Sequence, residues 1–228
     1  VVDSVRVSVR RGIPPGPESL LLLAEYGGAV GDPSAGALAA EVLTRAADGP
    51  LRGPDGLFFL SPLTRDSALV DREVNLATNA GWLAALSRTG RLVGVPDLEG
   101  AALDLGEAMR LGLALPGDGL CVAGRPGYRV AAGGKGQGFD PFGNAGDALA
   151  DTSAYSGWNA LAVSAFLELY RLGDDRGWLA LGRRIQGGVR ARLSDPDGLF
   201  RHCVRGDGPF LLSDQAMIAR AALDLYDA

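Results

Sequence analysis

The sequence predicts an all-α fold assembled from repeated helical hairpins, with short β-like turns joining one hairpin to the next. Three observations carry that reading. First, the triplet Asp-Gly-Leu occurs at Asp55-Gly56-Leu57, Asp118-Gly119-Leu120 and Asp197-Gly198-Leu199, with Phe58 and Phe200 following the first and third. Second, an acidic turn precedes each triplet, and Asp32 to Asp55, Asp97 to Asp118 and Asp174 to Asp197 are separated by 23, 21 and 23 residues. Third, an amide followed by alanine opens an apolar run at Asn79-Ala80, Asn159-Ala160 and Gln215-Ala216. Markers in a constant order at near-constant spacing are the signature of a repeat architecture, in which each unit is one supersecondary element.

The elements follow in chain order. Residues 1–17 form an N-terminal strand and a Pro/Gly linker, because Val5, Val7 and Val9 alternate with Arg6, Ser8 and Arg10, the period of a half-buried strand. Residues 18–228 form the hairpin repeat domain, in units of about 18–62, 71–123, 151–205 and 212–228. In the last unit Ile218, Ala221, Ala222, Leu225 and Tyr226 sit at i, i+3, i+4, i+7 and i+8, the stripe of one buried helical face. The runs 159–172 and 79–92 are its counterparts. A second helix follows the acidic turn of each unit. Its example carries Leu98, Ala101, Ala102, Leu105, Ala108 and Met109 on one face, with Asp97 placed to cap the first amides. Glycines inside helices, as in Ile185-Gln186-Gly187-Gly188, cost propensity of about 1 kcal/mol each, which close helix packing offsets. Residues 124–150 are a long glycine-rich connection, of a length that in compact domains is functional or disordered.

Composition excludes several classes. A hydrophobic content of 47% supports a large core and rules out a disordered chain. The formal charge is −5 and no basic block occurs, so nucleic acid is not an expected partner. Apolar stretches such as 20–24 and 160–167 fall short of the ~20 residues a membrane span needs. Cys121 and Cys203 have no CxxC spacing for zinc or redox chemistry, and whether they pair is open. No metal or other cofactor is implied. The first residue is Val1 rather than Met, and a removed leader would favour an extracytoplasmic location.

The segments Asp151-Thr152-Ser153-Ala154-Tyr155-Ser156-Gly157-Trp158-Asn159-Ala160-Leu161, Asp195-Pro196-Asp197-Gly198-Leu199-Phe200 and Leu212-Ser213-Asp214-Gln215-Ala216 resemble the C-terminal α/α-toroid of thioredoxin-domain-containing proteins. That region is similar to six-hairpin glycosidases and N-acylglucosamine 2-epimerases. The resemblance is good over 150–228 and weaker over 20–122. It implies an incomplete α/α-toroid, since a closed ring needs six hairpins and this chain has roughly three and a half. The thioredoxin domain and its cysteine motif are absent, so no redox activity is implied.

The resemblance also points to candidate site residues, because the starts of inner helices face the cavity in related toroids. Asp71, Asp151 and Asp214 are candidate acid/base carboxylates of the kind glycosidases use, and Asn79, Tyr155, Trp158, Asn159 and Gln215 are candidate ligand contacts. Asp71 and Asn79 are eight residues apart, as are Asp151 and Asn159. The structural alternative is that these polar groups cap helices and tie down loops. Trp82 and Phe142 join Tyr155 and Trp158 as aromatics that stack on a sugar or fill the core. His202 is the only histidine, which disfavours the paired-histidine chemistry of the epimerases and reads as a surface turn residue. The glycine run at 133–138 lacks the Gly-Lys-Ser/Thr ending of a phosphate loop.

On these grounds the reading favoured by sequence is a non-catalytic interaction or scaffold subunit, with another protein chain or missing sequence completing the arc. The alternative is a carbohydrate-active, glycosidase-like enzyme using cavity carboxylates, with carbohydrate as its partner. Either way, the open ends of the arc are expected to expose apolar surface.

Overall fold

The structure is a computed structural model describing residues 3, 5, 7–8, 15–59, 74–115, 117, 119–125, 128–130, 136–138, 153–204 and 208–228. Among residues 15–228, the described helices form three hairpins followed by a single helix: α1 (Pro17–Val30) with α2 (Pro33–Ala47), α3 (Leu76–Val93) with α4 (Pro96–Gly112), α5 (Ser156–Gly173) with α6 (Arg176–Leu193), then α7 (Leu212–Tyr226). The all-α arc of hairpins expected from sequence is what forms. No described helix is long and apolar enough to cross a membrane.

Each hairpin is closed by a turn of two residues whose first adopts a left-handed backbone. Glycine fills that position at Gly31 (φ 70°) and Gly94 (φ 73°), where a side chain would be strained; Asp174 (φ 54°) fills it in the third hairpin. The turn residue then donates its amide to the carbonyl four residues back, Gly94 to Gly90 at 2.8 Å and Asp174 to Tyr170 at 2.8 Å. Acidic caps start two of the returning helices. Asp32 Oδ1 accepts from the Ser34 amide at 3.0 Å and Asp175 Oδ1 from the Gly177 amide at 2.8 Å. In the middle hairpin the expected cap at Asp97 does not form, because α4 begins one residue earlier, at Pro96, behind an N-cap Val95 with no side-chain bond. Asp97 lies inside the first turn, where its charge meets the positive end of the helix instead.

Helices α1, α3, α5 and α7 pack in sequence as one layer, with α2, α4 and α6 against them as the second. Close packing does use glycine, though not where the sequence pointed. Gly187 has nothing within 4 Å of a Cβ, whereas a Cβ on Gly106 would collide with Leu169 of α5, and one on Gly27 would meet the Gly36 amide at 3.0 Å.

The Asp-Gly-Leu turns are the short β-like joints that were expected. Each folds back on the end of its preceding helix, with bridges Arg52↔Phe58, Ala114↔Cys121 and Ser194↔Phe200 and left-handed glycines at Gly56, Gly119 and Gly198. Within the glycine-rich connection, β2 (Gly124–Arg125) pairs antiparallel with β1 (Val74–Asn75), and β3 (Tyr128–Val130) pairs with β4 (Gly136–Gly138).

The N-terminal strand is corrected. The described residues Asp3, Val5, Val7 and Ser8 are helical. Val5 is 4% exposed and Val7 43%. A strand would put both on one face, while a helix places them about 200° apart, so the two-residue alternation was a partial view of a helical face.

The open ends do expose apolar surface, as anticipated. On α1, Leu22, Tyr26 and Val30 lie at i, i+4 and i+8 and are all exposed. On α7, Leu212 (84%), Leu223 and Tyr226 (88%) are exposed, so the buried face expected over 218–226 reduces to Ile218 and Ala221, and Tyr226 and Ala222 lie off it.

An ionic network absent from the sequence reading ties the C-terminal halves of the first layer together. Glu168 of α5, almost fully buried, accepts from Arg91 of α3 at 3.2 Å and Arg171 at 2.8 Å, with Arg88 4.0 Å away. Arg88 also pairs with Glu25 of α1, and Arg171 donates to the Asp224 carbonyl of α7 at 3.4 Å. Replacing Glu168 with Gln leaves Arg91 and Arg171 without the carboxylate they share and Arg88 with Glu25 alone. Because those arginines are part-exposed, the loss expected in urea unfolding is about 1–3 kcal/mol rather than the full cost of a buried unpaired charge, and it should shrink in high salt.

Candidate functional site

The site is built at the other end of the same layer. There the repeated amides each grip the turn that precedes them. Asn79 Oδ1 accepts from the Phe58 amide at 2.7 Å and its Nδ2 donates to the Phe58 carbonyl at 3.0 Å. Asn159 does the same to Cys121, at 2.7 and 3.1 Å, and Gln215 to Phe200, at 3.0 and 2.6 Å. The gripped residue is in each case the one after Asp-Gly-Leu, so two of the three sequence markers are the two halves of one joint. Asn79 and Asn159 also donate to the carbonyls of Asn75 and Tyr155, at 2.9 Å each, and both are fully buried. Amides with no exposed surface and with both polar atoms bonded to backbone have nothing to offer a ligand from solvent.

These joints place the N-terminal ends of α3, α5 and α7 side by side. The Leu76 amide donates to the Ala123 carbonyl, the Ala123 amide to Ser153, the Ser156 amide to His202 and the Val204 amide to Ala154, all within 3.2 Å. With the ionic network at the opposite ends, the three helices run parallel and direct the positive ends of their dipoles to one side.

Between α5 and α7 this arrangement gathers a cluster. Asp214, third residue of α7, has a side chain 5% exposed, and its Oδ2 lies 2.7 Å from His202 Nδ1, on a side chain 30% exposed. The Tyr155 ring lies 4.8 Å from the His202 ring and 4.8 Å from the Trp158 ring, in tilted and edge-on geometry. Gly157 makes room for this, since a Cβ there would collide with Asp214 Oδ1. A carboxylate only accepts, so Nδ1 carries the proton of the bond to Asp214, and Nε2 is left as the acceptor of the neutral ring. The cluster therefore combines an oriented proton-transfer group with a part-exposed aromatic wall.

The sequence candidates thus separate. Tyr155, Trp158 and Asp214 come together, with His202, read from sequence as a surface turn residue, at their centre. The fold supplies what the sequence did not: Gln215 holds Phe200, which brings His202, two residues on, against Asp214, one residue back. Trp82 is buried and stacked on Phe58, with ring centroids 4.7 Å apart, so it belongs to the core. Asp71, Asp151 and Phe142 lie outside the described residues. Cys121 is a free thiol, so the two cysteines do not pair with each other. Burial pushes the Cys121 thiol up to about 12, so it stays protonated at neutral pH. Among the described residues no three of His, Cys, Asp and Glu gather as metal ligands.

The sequence matches no protein-family profile and no curated protein. Solved structures match the fold. The unsaturated glucuronyl hydrolase of Bacillus sp. GL1 is 18% identical, over 99% of this chain and 59% of its own, with a TM-score of 0.69. A GH76 α-mannanase of Bacteroides thetaiotaomicron is 13% identical over 90% of this chain and 49% of its own, with a TM-score of 0.65. The cellobiose 2-epimerase of Bacillus thermoamylovorans is 13% identical over 92% and 51%, with a TM-score of 0.67. The chain spans about half the length of these structures. They establish an α/α-toroid as its fold.

Proposed function

We propose that the chain is part of a carbohydrate-active, glycosidase-like enzyme whose sugar site lies at the N-terminal ends of α5 and α7. The observation that carries the reading is the part-exposed His202 ring, oriented by Asp214 and flanked by Tyr155 and Trp158. Aromatic faces bind the apolar faces of sugar rings, and an imidazole with one ring nitrogen turned to substrate gives or takes a proton at a hydroxyl or ring carbon. In this reading Tyr155 and Trp158 position the sugar, His202 Nε2 transfers the proton, and buried Asp214 fixes the imidazole tautomer without touching substrate. Asp71 and Asp151, which precede β1 and α5 by a few residues, are the carboxylates proposed for acid/base work on a glycosidic bond. The fold neighbours, named for hydrolysis or epimerisation of sugars, support this reading better than the scaffold favoured on sequence alone.

The scaffold reading rests on a separate observation, the exposed apolar faces of α1 and α7. One experiment discriminates: titration of the chain with neutral and acidic oligosaccharides, with turnover followed by product analysis. Tyr155→Ala is expected to weaken binding about tenfold, the scale of one aromatic stacking contact. His202→Asn, which keeps a polar group there, is expected to lower turnover ~10²–10⁴-fold with little change in affinity. No saccharide binding, together with a stoichiometric protein partner, would return the choice to the scaffold.

A further inference from the structure

A second cluster lies at the opposite end of the third hairpin, away from the sugar site. Helix α6 carries five arginines and no acidic residue, in a chain whose formal charge is −5. Two of these, Arg176 and Arg183, are seven residues apart, which places them on one face about 10 Å apart along the axis. Among the described residues neither forms an ion pair, although Arg45, Arg88, Arg91, Arg110, Arg171 and Arg220 all do.

The two arginines line a groove of about 600 Å³ with Tyr170, Leu179, Ala180 and Ala228. The size suits a small organic ligand. Leu179 and Ala180 supply an apolar floor. The Tyr170 hydroxyl donates to Asp174, which holds its proton above the ordinary tyrosine range, while the charges of Arg176 and Arg183 pull the other way. Both guanidiniums therefore act on the space beside Tyr170, and Asp174 is engaged with the hydroxyl.

We propose that this groove binds a small oxyanion-bearing ligand, its carboxylate or phosphate held by Arg176 and Arg183 and its body lying against Tyr170 and Leu179. Guanidinium is suited to the task, because its planar fork of donors matches the oxygens of either group.

The test is calorimetric titration of the intact chain with inorganic phosphate, glucuronate and glucose. Saturable binding of at least one anion and none of glucose is expected. Preference for glucuronate identifies a sugar carboxylate as the natural group, and preference for phosphate a phosphate ester. The double variant Arg176→Gln, Arg183→Gln should bind at least tenfold more weakly, and Arg190→Gln, on the same helix but outside the groove, should bind as the parent does. All three side chains are exposed, so the variants should fold. Absence of saturable anion binding, glucose binding as well as the anions, or equal weakening by Arg190→Gln would overturn the proposal.

Discussion

Asn159→Ala is expected to lower the unfolding free energy by about 2–5 kcal/mol, a large part of the 5–15 kcal/mol typical of a domain. Cys121 is almost fully buried, and its amide and carbonyl bond the two ends of one side chain. Alanine leaves both groups without partners where water does not reach, at a cost of about 1–3 kcal/mol each. The Tyr155 carbonyl loses the second of its two donors and keeps the backbone amide of residue 159. The repeat supplies an internal control. Gln215 makes the equivalent pair of bonds to Phe200, and both residues are part-exposed, so water replaces the lost bonds and Gln215→Ala should cost about 1 kcal/mol. Urea unfolding of the two variants measures the difference. Equal losses would show that burial of the joint does not set its contribution.

That comparison also explains what could be read from the sequence. The three markers were visible because left-handed glycine turns, acidic helix starts and amides at helix starts each demand particular residue types. Their partnership was not, because the amide follows its gripped residue by 21, 38 and 15 positions as the connections between units vary in length. Only the folded chain shows that Asn79, Asn159 and Gln215 do one job. The same limit hid the network around Glu168, whose partners Arg88 and Arg91 lie on another helix, with Glu25 of α1 reached only through Arg88. Local periodicity failed where the window was short, at Val5 and Val7. It held over α4, where Leu98, Ala102, Leu105 and Met109 are all buried, and only in part over α7, where Ile218 and Ala221 are buried but Ala222 and Tyr226 are exposed. The half-legible case is the candidate site. Asp214, Tyr155 and Trp158 were nominated individually, and His202 was set aside, because its chemistry depends on a carboxylate twelve residues away on the next helix.

Gly157→Ala tests that site from the packing side. Gly157 is the second residue of α5, and a methyl group there would run into Asp214 Oδ1 and lie 3.0 Å from Met217 Sδ. Met217 has a flexible thioether that can move aside. Asp214 cannot do so without loss, because it is held in the first turn of α7 and bonded to His202 at 2.7 Å. Either α7 shifts outward or the carboxylate rotates off the imidazole. Overpacking of this kind costs typically 1–3 kcal/mol, and the loss of the Asp214 bond should release the His202 ring. Two readouts follow: a lower urea midpoint, and a displaced His202 ring resonance, accompanied by at least tenfold loss of any saccharide turnover that depends on His202. Gly187→Ala is the matched control, since nothing lies within 4 Å of its Cβ on an exposed helical face. There alanine should raise stability by about 0.5–1 kcal/mol through helix propensity alone. The two substitutions are chemically identical and should have opposite signs. A Gly157→Ala protein as stable as the parent, with an unmoved His202 resonance, would show that α5 and α7 do not meet at Asp214.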